Sequence, residues 1–446
     1  MSPVTEPIDP ELLPLTAREG PEGLSVGGVA LTELAERFGT PLFVYDEEHL
    51  RQRCREAVAA FGRDRVAYAS KAFLCTAMAR LAHEEGVLLD VASGGELRVA
   101  LSAGVPAGRI VLHGNNKDEA ELRTAARAGV RHVVVDSFDE MDRIERLHGT
   151  EALPPVRVLL RVAPGVAAGA HESIRTGGHD SKFGFGLADG VALVAVGRAA
   201  KSPAMILEGV HAHVGSQVLD AAELAAGAAA IARFAVDTGV RELTVGGGLG
   251  VAYEAGRRPA SFAEWADAVR EAARGAGWTG PLSVEPGRSI AARAGLTLYR
   301  VGTVKRIEGV RTYVSVDGGM SDNPRPALYS SRYEAFLPRS PRAPRPLRAR
   351  LVGKHCESGD VIIDNAALPA DIGVQDLLAT PVTGAYGHAM ASNYNKLPRP
   401  AVVFVRDGRA RLVVRRETEN DLLRLDVGGP ADDLGAVAGE LVAARE

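Results

Sequence analysis

The chain has 446 residues, of which 46% are hydrophobic and 24% are charged. This length predicts two or three hydrophobic cores, and the composition is typical of a water-soluble globular protein. The formal net charge of −4 gives no electrostatic attraction to nucleic acid or to an anionic membrane, so neither is expected as a partner.

Targeting signals and cysteines narrow the class of protein further. No basic stretch followed by an apolar segment opens the sequence, and no apolar run approaches ~18 residues, so we expect a cytoplasmic protein without membrane contact. Cys54, Cys75 and Cys356 stand at unrelated spacings, which predicts neither a disulfide framework nor a zinc site. No metal is therefore expected.

A regular series of strands and helices follows the polar residues 1–45. Apolar, β-branched segments begin 22 residues apart, at Val66, Leu88, Ile110 and His132, and helical patterns fill the intervals. The series continues at 157–162, 208–214, 242–245 and 282–285. Eight strand–helix units predict a parallel, closed, TIM-like (β/α)8 barrel over residues 46–302. An open doubly-wound sheet is the alternative.

The pattern changes after about residue 300. Apolar segments at 298–307, 312–316, 348–352, 401–406 and 411–416 have no long helices between them, which predicts a mostly antiparallel β domain over residues 303–446. The Pro/Arg-rich residues 337–347 are expected to form a surface loop. A short predicted strand at 42–45 is expected to join the β domain, so that residues 1–45 belong to it.

Polar and ionisable residues follow nearly every predicted barrel strand, at the end where barrel enzymes carry their chemistry. They are Lys71, Asp90, His113, Asn115, Asp136, Arg161, His213, Ser216, Glu285 and Arg288. A barrel that served only as a scaffold would not need them. The sequence therefore predicts an active site at this end.

Lys71 is the first candidate for catalysis. Only seven residues of the chain are lysines, and among basic side chains only the lysine amine can lose its proton and attack a carbonyl. Lys71 directly follows an apolar strand at the predicted mouth of the barrel, where a desolvated amine has a lowered pKa and can form an imine. A surface lysine is the ordinary alternative.

A phosphate site is predicted beside the last two barrel strands. The glycines at 246–248 follow the seventh strand, and backbone N–H groups in such a turn can approach an anion closely. Gly287 and Arg288, after the eighth strand, would complete the cradle, and Ser216 could add a hydroxyl.

Glu285 ends the eighth strand and is the candidate partner of a pyridine ring. A carboxylate that faces a pyridine nitrogen keeps that nitrogen protonated, which strengthens the ring as an electron sink. A salt bridge with Arg288 is the alternative. His213 could stack on the ring, and His211, on the same side of the strand, is its rival. Together with Lys71 and the phosphate site, these residues predict pyridoxal 5′-phosphate as the cofactor.

The β domain contributes further candidates. Cys356 stands in a dense polar turn beside Glu357, a setting more typical of a proton donor than of an inert packing thiol. Arg325 and Tyr329 could receive a carboxylate. Tyr386, in a glycine-flanked turn, could contact phosphate or substrate.

Seven motifs in order resemble those of the alanine-racemase-like (fold type III) pyridoxal-phosphate enzymes, and among them the diaminopimelate decarboxylases. They are YASKA at 68–72, SGGE at 93–96, TGGHDSKFG at 176–184, HAHVGSQ at 211–217, EPGR at 285–288, CESGD at 356–360 and RET at 416–418. The resemblance runs from residue 40 to residue 427. Phe73, where the family usually has Asn, and the uncommon GHAMA at 387–391 depart from the family pattern.

The resemblance implies a head-to-tail homodimer with two active sites at the interface, and it assigns roles to the candidates. Lys71 would hold the cofactor, His213 would stack on its ring and Glu285 would meet the ring nitrogen. Ser216, Gly248, Gly287, Arg288 and Tyr386 would surround the cofactor, while Arg288, Arg325, Tyr329, Glu357 and Tyr386 would contact the substrate. Cys356 would be the proton donor, on a loop that reaches the partner subunit's site.

The implied reaction converts meso-2,6-diaminopimelate to L-lysine and CO2, the last step of lysine biosynthesis. Glu357 and Arg325 favour a substrate with a second amine and a second carboxylate, because unpaired charges in such a pocket are unfavourable. The alternatives are a decarboxylase of a related basic, D-configured or carrier-bound amino acid, a racemase on the same scaffold, and a cofactor-binding module without catalysis.

Overall fold

The computed structural model describes residues 6–165 and 181–427. Its strands are β1 (Arg18–Gly20), β2 (Gly23–Val26), β3 (Val29–Ala30), β4 (Leu42–Asp46), β5 (Ala67–Ala69), β6 (Leu88–Val91), β7 (Ile110–Leu112), β8 (His132–Val135), β9 (Val156–Ala163), β10 (Phe185–Gly186), β11 (Met205–His211), β12 (Glu242–Thr244), β13 (Leu282–Ser283), β14 (Gly295–Ile307), β15 (Arg311–Val316), β16 (Leu347–Val352), β17 (Val361–Leu368), β18 (Leu377–Pro381), β19 (Ala401–Arg406) and β20 (Arg409–Val414).

The α-helices are α1 (Leu31–Phe38), α2 (Glu47–Phe61), α3 (Thr76–Glu84), α4 (Gly94–Ser102), α5 (Glu119–Ala128), α6 (Phe138–Glu151), α7 (Val191–Lys201), α8 (Ala221–Thr238), α9 (Phe262–Gly275), α10 (Arg288–Ala291), α11 (Arg325–Tyr329) and α12 (Glu419–Leu423). Among these helices, none combines the length and the apolar character that crossing a bilayer requires. The side chains of Ser93, Asp118, Ser137, Asp220 and Ser261 cap the N-termini of α4, α5, α6, α8 and α9. Each cap accepts a hydrogen bond from a helix N–H that otherwise lacks a partner.

Eight parallel strands form a barrel in the order β13-β12-β11-β9-β8-β7-β6-β5, with β10 beside β9. A parallel bridge between Val66 and Val284 joins the two edges of this sheet, so it closes. The spatial order follows the chain, and a helix lies between each strand and the next, as right-handed crossovers require. The predicted (β/α)8 barrel is confirmed, and the open-sheet alternative is wrong.

Alternate residues of the barrel strands face two separate cores. In β7, Ile110 and Leu112 pack in the large core with the surrounding helices, whereas Val111 packs with Val134 and Leu159 in a small cluster of its own. Because a strand repeats every two residues, this small cluster marks the inward face of the barrel. The inward rows continue beyond the strands toward the barrel's C-terminal end.

A second sheet has the order β17-β16-β15-β14-β4-β19-β20, and β18 also pairs with β14. Five of its pairings are antiparallel, and β15–β16 and β4–β19 are parallel. The predicted mostly antiparallel β domain is confirmed, and β4 joins it as expected. We keep 1–45, 46–302 and 303–446 as the proposed limits of the N-terminal segment, the barrel and the β domain, although β14 extends across the second border.

The Pro/Arg-rich loop at 337–347 is not confined to the surface. Leu337, Pro338, Pro341 and Arg345 are buried. Arg345 donates hydrogen bonds at 3.0 Å to the carbonyls of residues 6 and 7 and pairs with a glutamate at 2.9 Å. The expectation of a surface loop is wrong for these residues. Leu337 packs in the core of the β domain, and Glu334 together with the carbonyls of residues 6 and 7 satisfies the buried charge of Arg345.

Candidate active site

On several barrel strands, the residues that point into the barrel are followed at the C-terminal end by ionisable residues. His113, Asp136 and Arg161 each stand two residues beyond a member of the small inner cluster. They therefore point to the same side as that cluster, at the C-terminal end of the barrel. His211 and Glu285 join them there from β11 and from the end of β13.

A cavity of about 1030 Å³ opens at this end of the barrel. This volume suits a cofactor together with an amino acid. Ten of the twelve predicted site residues line it, namely Lys71, His213, Ser216, Gly248, Glu285, Gly287, Arg288, Arg325, Tyr329 and Tyr386. The two that do not are Cys356 and Glu357. Of the predicted motif at 176–184, residues 176–180 lie outside the described residues.

Lys71 lies on a single 3₁₀ turn, Ser70–Ala72, directly after β5. The carbonyl of Ala72 accepts a hydrogen bond from the N–H of Tyr386 at 2.8 Å, which ties this turn to the β domain. The Lys71 side chain is exposed and lines the cavity. In the single chain the strand therefore ends in an open cavity, and the expected desolvation of the amine stays a prediction.

The loops after β12 and β13 pass close to other backbone. Gly248 has φ +119°, a left-handed conformation that favours glycine, and a Cβ there would lie 2.9 Å from the Gly215 carbonyl oxygen. A Cβ on Gly287 would lie 3.0 Å from the Ala69 carbonyl oxygen. A side chain at either position would crowd that backbone, so glycine is what lets these two turns lie this close to their neighbours, and both turns line the cavity.

Ser216 and Arg288 complete this cradle. One guanidinium nitrogen of Arg288 donates to the Ser216 hydroxyl at 3.1 Å. The Nε of Arg288 is buried and has no hydrogen-bond partner among the described residues. A buried donor without a partner is unfavourable, and a phosphate oxygen is the acceptor that a guanidinium prefers. The glycine turns, the hydroxyl and the guanidinium together fit the phosphate of pyridoxal 5′-phosphate.

Glu285 is buried, with 7% of its surface exposed. Its Oε1 lies 3.0 Å from His113 Nε2, and its Oε2 lies 2.8 Å from His211 Nε2. Burial alone would raise the pKa of Glu285, but the two histidines hold that pKa well below its usual value. An ionised carboxylate fits a protonated pyridine nitrogen. Within the described part of the chain Glu285 forms no ion pair with Arg288, so the salt-bridge alternative is not found.

The two candidate stacking histidines have different surroundings. His211 is engaged by the buried carboxylate described above, whereas His213 Nδ1 accepts a hydrogen bond from the Gly247 N–H at 3.2 Å. Burial and the nearby charges of Lys71 and Arg161 lower the pKa of His213 well below its usual value. The His213 ring is therefore neutral, and we keep it as the proposed stacking residue.

Tyr253 joins two arginines on the cavity wall. Its hydroxyl accepts a hydrogen bond from Arg288 at 2.7 Å, and the Arg325 guanidinium lies 4.6 Å from its ring centroid. Arg325 is buried and donates to the Tyr333 hydroxyl at 2.6 Å. Burial alone would raise the pKa of Tyr253, but the two guanidiniums lower it. Two fixed cations make this wall suited to a carboxylate.

Known proteins resemble the chain along most of its length. Residues 47–292 match the family described as pyridoxal-dependent decarboxylase, pyridoxal binding domain. A diaminopimelate decarboxylase from Actinosynnema pretiosum subsp. auranticum is 48% identical over 428 residues, which cover 94% of this chain and 96% of that relative. The chain belongs to the diaminopimelate decarboxylase family. The family's enzyme from Bacillus subtilis is 45% identical, with 92% and 97% of the two chains covered.

Solved structures of the diaminopimelate decarboxylase family agree with this membership. The enzyme from M. jannaschii has a TM-score of 0.86 and 31% identity, covering 93% of this chain and 98% of that one, and a second structure of it is a co-complex with L-lysine. The enzyme from Helicobacter pylori complexed with L-lysine has a TM-score of 0.81 and 31% identity, covering 89% and 98%. The predicted class, a pyridoxal-phosphate-dependent decarboxylase, is confirmed.

The diaminopimelate decarboxylase resemblance also assigned roles to Cys356 and Glu357, which lie away from the cavity. Both side chains are exposed. The Cys356 N–H donates to Asn395 at 3.3 Å, and the Tyr394 hydroxyl lies 3.5 Å from Glu357. A single chain therefore does not bring the expected proton donor to the cavity.

Several cavity residues of this diaminopimelate decarboxylase family member were not predicted as site residues. The sequence did indicate Asp90, His113 and Arg161 as residues near the site, because each stands at a strand end, but it did not indicate their roles. Tyr253, which also lines the cavity, had no such indication. Tyr253 lies in an irregular segment between β12 and α9, where no periodicity indicates which way a side chain points.

We expect Tyr253→Phe to weaken cofactor binding while the protein stays folded. The change removes the hydroxyl that orients Arg288 and keeps the ring beside Arg325. A hydrogen bond to a charged group contributes about 1.5–3 kcal/mol, so the dissociation constant of pyridoxal 5′-phosphate should rise about tenfold to a hundredfold. Absorbance titration of the apoprotein measures it. Tyr313→Phe is the control, because Tyr313 meets an arginine outside the cavity, and equal affinities in the two variants would contradict the role.

Asp322 makes the stability of the β domain depend on pH. It is buried, accepts hydrogen bonds from the Tyr299 hydroxyl at 2.6 Å and the Gly319 N–H at 2.8 Å, and burial raises its pKa to about 7. Because this pKa exceeds that in the unfolded chain, the folded state binds the extra proton between about pH 4 and pH 7, and the stability contributed by this carboxyl falls as pH rises through that window. We expect the melting temperature of Asp322→Asn to rise relative to wild type from pH 5 to pH 8. The exposed Asp364→Asn variant should show no such trend.

Proposed function

We propose that the protein decarboxylates meso-2,6-diaminopimelate to L-lysine and CO2, with pyridoxal 5′-phosphate held on Lys71. The observation that carries this proposal is the cavity itself, in which Lys71, the ionised Glu285 and two arginines converge. Identity of 44–48% to several diaminopimelate decarboxylases supports the same substrate. The L-lysine that the M. jannaschii and Helicobacter pylori structures contain is the product of this reaction.

The residues of the chain divide the work between holding the cofactor and holding the substrate. The bound cofactor supplies an electron sink for the pair of electrons that CO2 leaves behind. Arg288, Ser216 and the glycine turns hold its phosphate, and Glu285 keeps its ring nitrogen protonated. The neutral His213 ring covers one face, because a neutral imidazole can lie against the ring without adding a charge there.

The second wall of the cavity selects the substrate. Arg325, buried and fixed by Tyr333, is placed to bind a substrate carboxylate, with Tyr329 and Tyr386 on the same lining. A site built to pair charges rejects a substrate that lacks them, because its own groups are then left unpaired. A substrate with two carboxylates therefore fits this wall better than lysine or ornithine does.

A second copy of the chain would complete the site. Cys356 and Glu357 are exposed and outside the cavity of their own chain, and the resemblance assigns them to the partner subunit's site. We propose a homodimer in which Cys356 returns a proton to the carbon that lost CO2 and Glu357 receives the distal amine of the substrate. The expectation of a cytoplasmic enzyme stays a prediction, with support from Cys54, Cys75 and Cys356, which are all free thiols.

Release of CO2 from a panel of amino acids tests the proposed substrate. We expect turnover of meso-diaminopimelate far above that of lysine, ornithine and arginine at equal concentrations. Comparable rates on ornithine would contradict the substrate assignment, even though a lysine/ornithine decarboxylase from Vibrio vulnificus shares the fold with a TM-score of 0.72 at 24% identity. Inversion of an amino acid without CO2 release would favour the racemase alternative, and cofactor binding without either reaction would favour the non-catalytic one.

A further inference from the structure

Four ionisable side chains form a buried cluster at the base of the cavity. Asp90, His113, Glu285 and His211 are each at least nine-tenths buried. His113 Nε2 lies 3.0 Å from Glu285 and 3.7 Å from Asp90 Oδ1. The rings of His113 and His211 meet edge to face, with their centroids 5.0 Å apart. The proposed function uses only Glu285 of these four, so the other three need a reason to be there.

His113 lies between two carboxyl groups, both of which favour its charged form. Burial alone would lower its pKa, but Asp90 and Glu285 raise that pKa above its usual value. An imidazolium in this position offsets part of the unfavourable burial of both carboxylates. The charge on His113 is thus the local counterion of the carboxylate that faces the cofactor ring.

His211 acts on the same carboxylate in a different state. Burial lowers the pKa of His211, so its ring is neutral and carries one N–H. That proton lies on Nε2, because this nitrogen faces Glu285 Oε2 at 2.8 Å and an ionised carboxylate can only accept. Glu285 therefore accepts one hydrogen bond, from the neutral His211 ring at Oε2, while its Oε1 lies within ion-pair distance of His113.

Other titratable groups face this cluster from several neighbouring elements. They are Lys71 after β5, Glu96 on α4, Arg161 on β9 and the neutral His213 after β11, in addition to Asp90 on β6. Arg161 is the only arginine in this set. It lowers the pKa of His113 and so opposes the effect of Asp90, which leaves the direct contact with Glu285 and Asp90 to hold the proton.

A second cluster of histidine and glutamate lies at the opposite end of the barrel and serves as a comparison for the pairing of His113 with Glu285. His132 Nε2 lies 2.6 Å from Glu208, but Arg157 also pairs with Glu208. Burial lowers the pKa of His132, so an arginine and not the histidine supplies the positive charge in that cluster. His113 differs because no arginine forms an ion pair with Glu285 among the described residues.

We propose that His113 is a positioning residue of the reaction: held as a cation by Asp90, it keeps Glu285 ionised and aimed at the ring nitrogen of the cofactor. This proposal rests on the proposed function, because it gives Glu285 that partner. Without His113, the burial of Glu285 would favour its protonated form, and a protonated carboxyl cannot hold a protonated ring nitrogen. The loss would grow as pH falls, since more of Glu285 would then be neutral.

Titration of the full-length apoprotein with pyridoxal 5′-phosphate between pH 6 and pH 8 tests this role. In the wild type we expect an affinity and a cofactor absorbance spectrum that change little with pH. In His113→Gln we expect the pKa of Glu285 to rise, so that less of this carboxyl is ionised. If that pKa exceeds 8, the dissociation constant at pH 8 should rise about tenfold for each pKa unit above 8. The dissociation constant should rise further as the pH falls to 6. Asp90→Asn should shift both readouts in the same direction by less. His132→Gln, a buried histidine lost from the other end of the barrel, should match the wild type.

Selective ¹⁵N labelling of histidine gives a second readout, which is taken on the wild-type protein and does not depend on cofactor binding. The wild-type His113 ring, assigned by its loss in His113→Gln, should remain doubly protonated at pH 7 and above. A neutral His113 at pH 7 would overturn the proposal, and so would a folded His113→Gln variant with wild-type cofactor affinity at every pH. If the labelled ring and the cofactor titration behave as expected but no CO2 is released from meso-diaminopimelate, the proposed function fails and the role of His113 stands.

Discussion

Lys71→Ala will abolish CO2 release and remove the visible absorbance of the protein-bound cofactor. No other lysine stands on the turn after β5, and the amine is the only group there that can bond to the cofactor's carbonyl. The Arg288 and Ser216 cradle remains in the variant, so residual, weaker binding of free pyridoxal 5′-phosphate is expected. Absorbance after gel filtration distinguishes the two modes of binding, because only the covalently held cofactor should survive it.

The fold of Lys71→Ala should be intact, which makes its loss of activity interpretable. Lys71 is exposed, so its truncation leaves no cavity in a packed core, and we expect the melting temperature of the apoprotein to match the wild type. Lys201→Ala, at the exposed end of α7, is the control and should keep full activity and absorbance. Retention of the absorbance band by Lys71→Ala after gel filtration would show that another residue holds the cofactor.

Cys356→Ala should lose activity while it keeps the cofactor. General acids contribute about 10² to 10⁴-fold to the rate, so we expect kcat to fall within that range. The cofactor absorbance should be unchanged, because Cys356 does not line the cavity of its own chain. Its exposed position also makes a folding defect unexpected, and Lys354→Ala in the same turn, also exposed, is the matched control.

Mixing the two inactive variants tests whether the donor comes from the partner subunit. In a dimer of one Lys71→Ala chain and one Cys356→Ala chain, one site receives both intact residues and the other receives neither. Random exchange of subunits makes half of the dimers mixed, so about a quarter of the wild-type activity should return. No recovery after complete exchange, shown with tagged subunits, would place Cys356 and Lys71 in the same chain's site or remove Cys356 from the reaction.

The barrel could be predicted because its signal is repeated. Four apolar segments begin at the same interval, so each can be assigned as a strand even where its own preference for strand is weak. Eight such strand–helix units then predict a closed barrel. The sequence could not reveal β17 and β18 in the same way. β17 has a bulged register against β16, so its apolar residues do not alternate, and β18 is buried at all five positions, which gives a short apolar run that fits a helix equally well.

The site was predictable where the fold itself places the residues. Strand ends of a barrel meet at one edge, so Lys71, His213 and Glu285 could be grouped from their order alone. The state of each side chain could not be predicted in this way. Whether Lys71 is exposed depends on the width of the cavity, and the charge on His113 depends on Asp90, which is 23 residues away in the chain and adjacent only after folding.

The position of β4 has a consequence for how the protein is made. β4 pairs with β14 on one side and with β19 on the other, and the whole barrel is encoded between β4 and β14. At 5–20 residues per second, the ribosome releases β14 about 10 to 50 s after β4, and β19 later still. The edges of β4 therefore stay unpaired while the barrel folds beside them. Newly made chains are exposed to strand addition by other polypeptides throughout this interval, and a chaperone that covers residues 42–46 during translation would raise the yield of native enzyme.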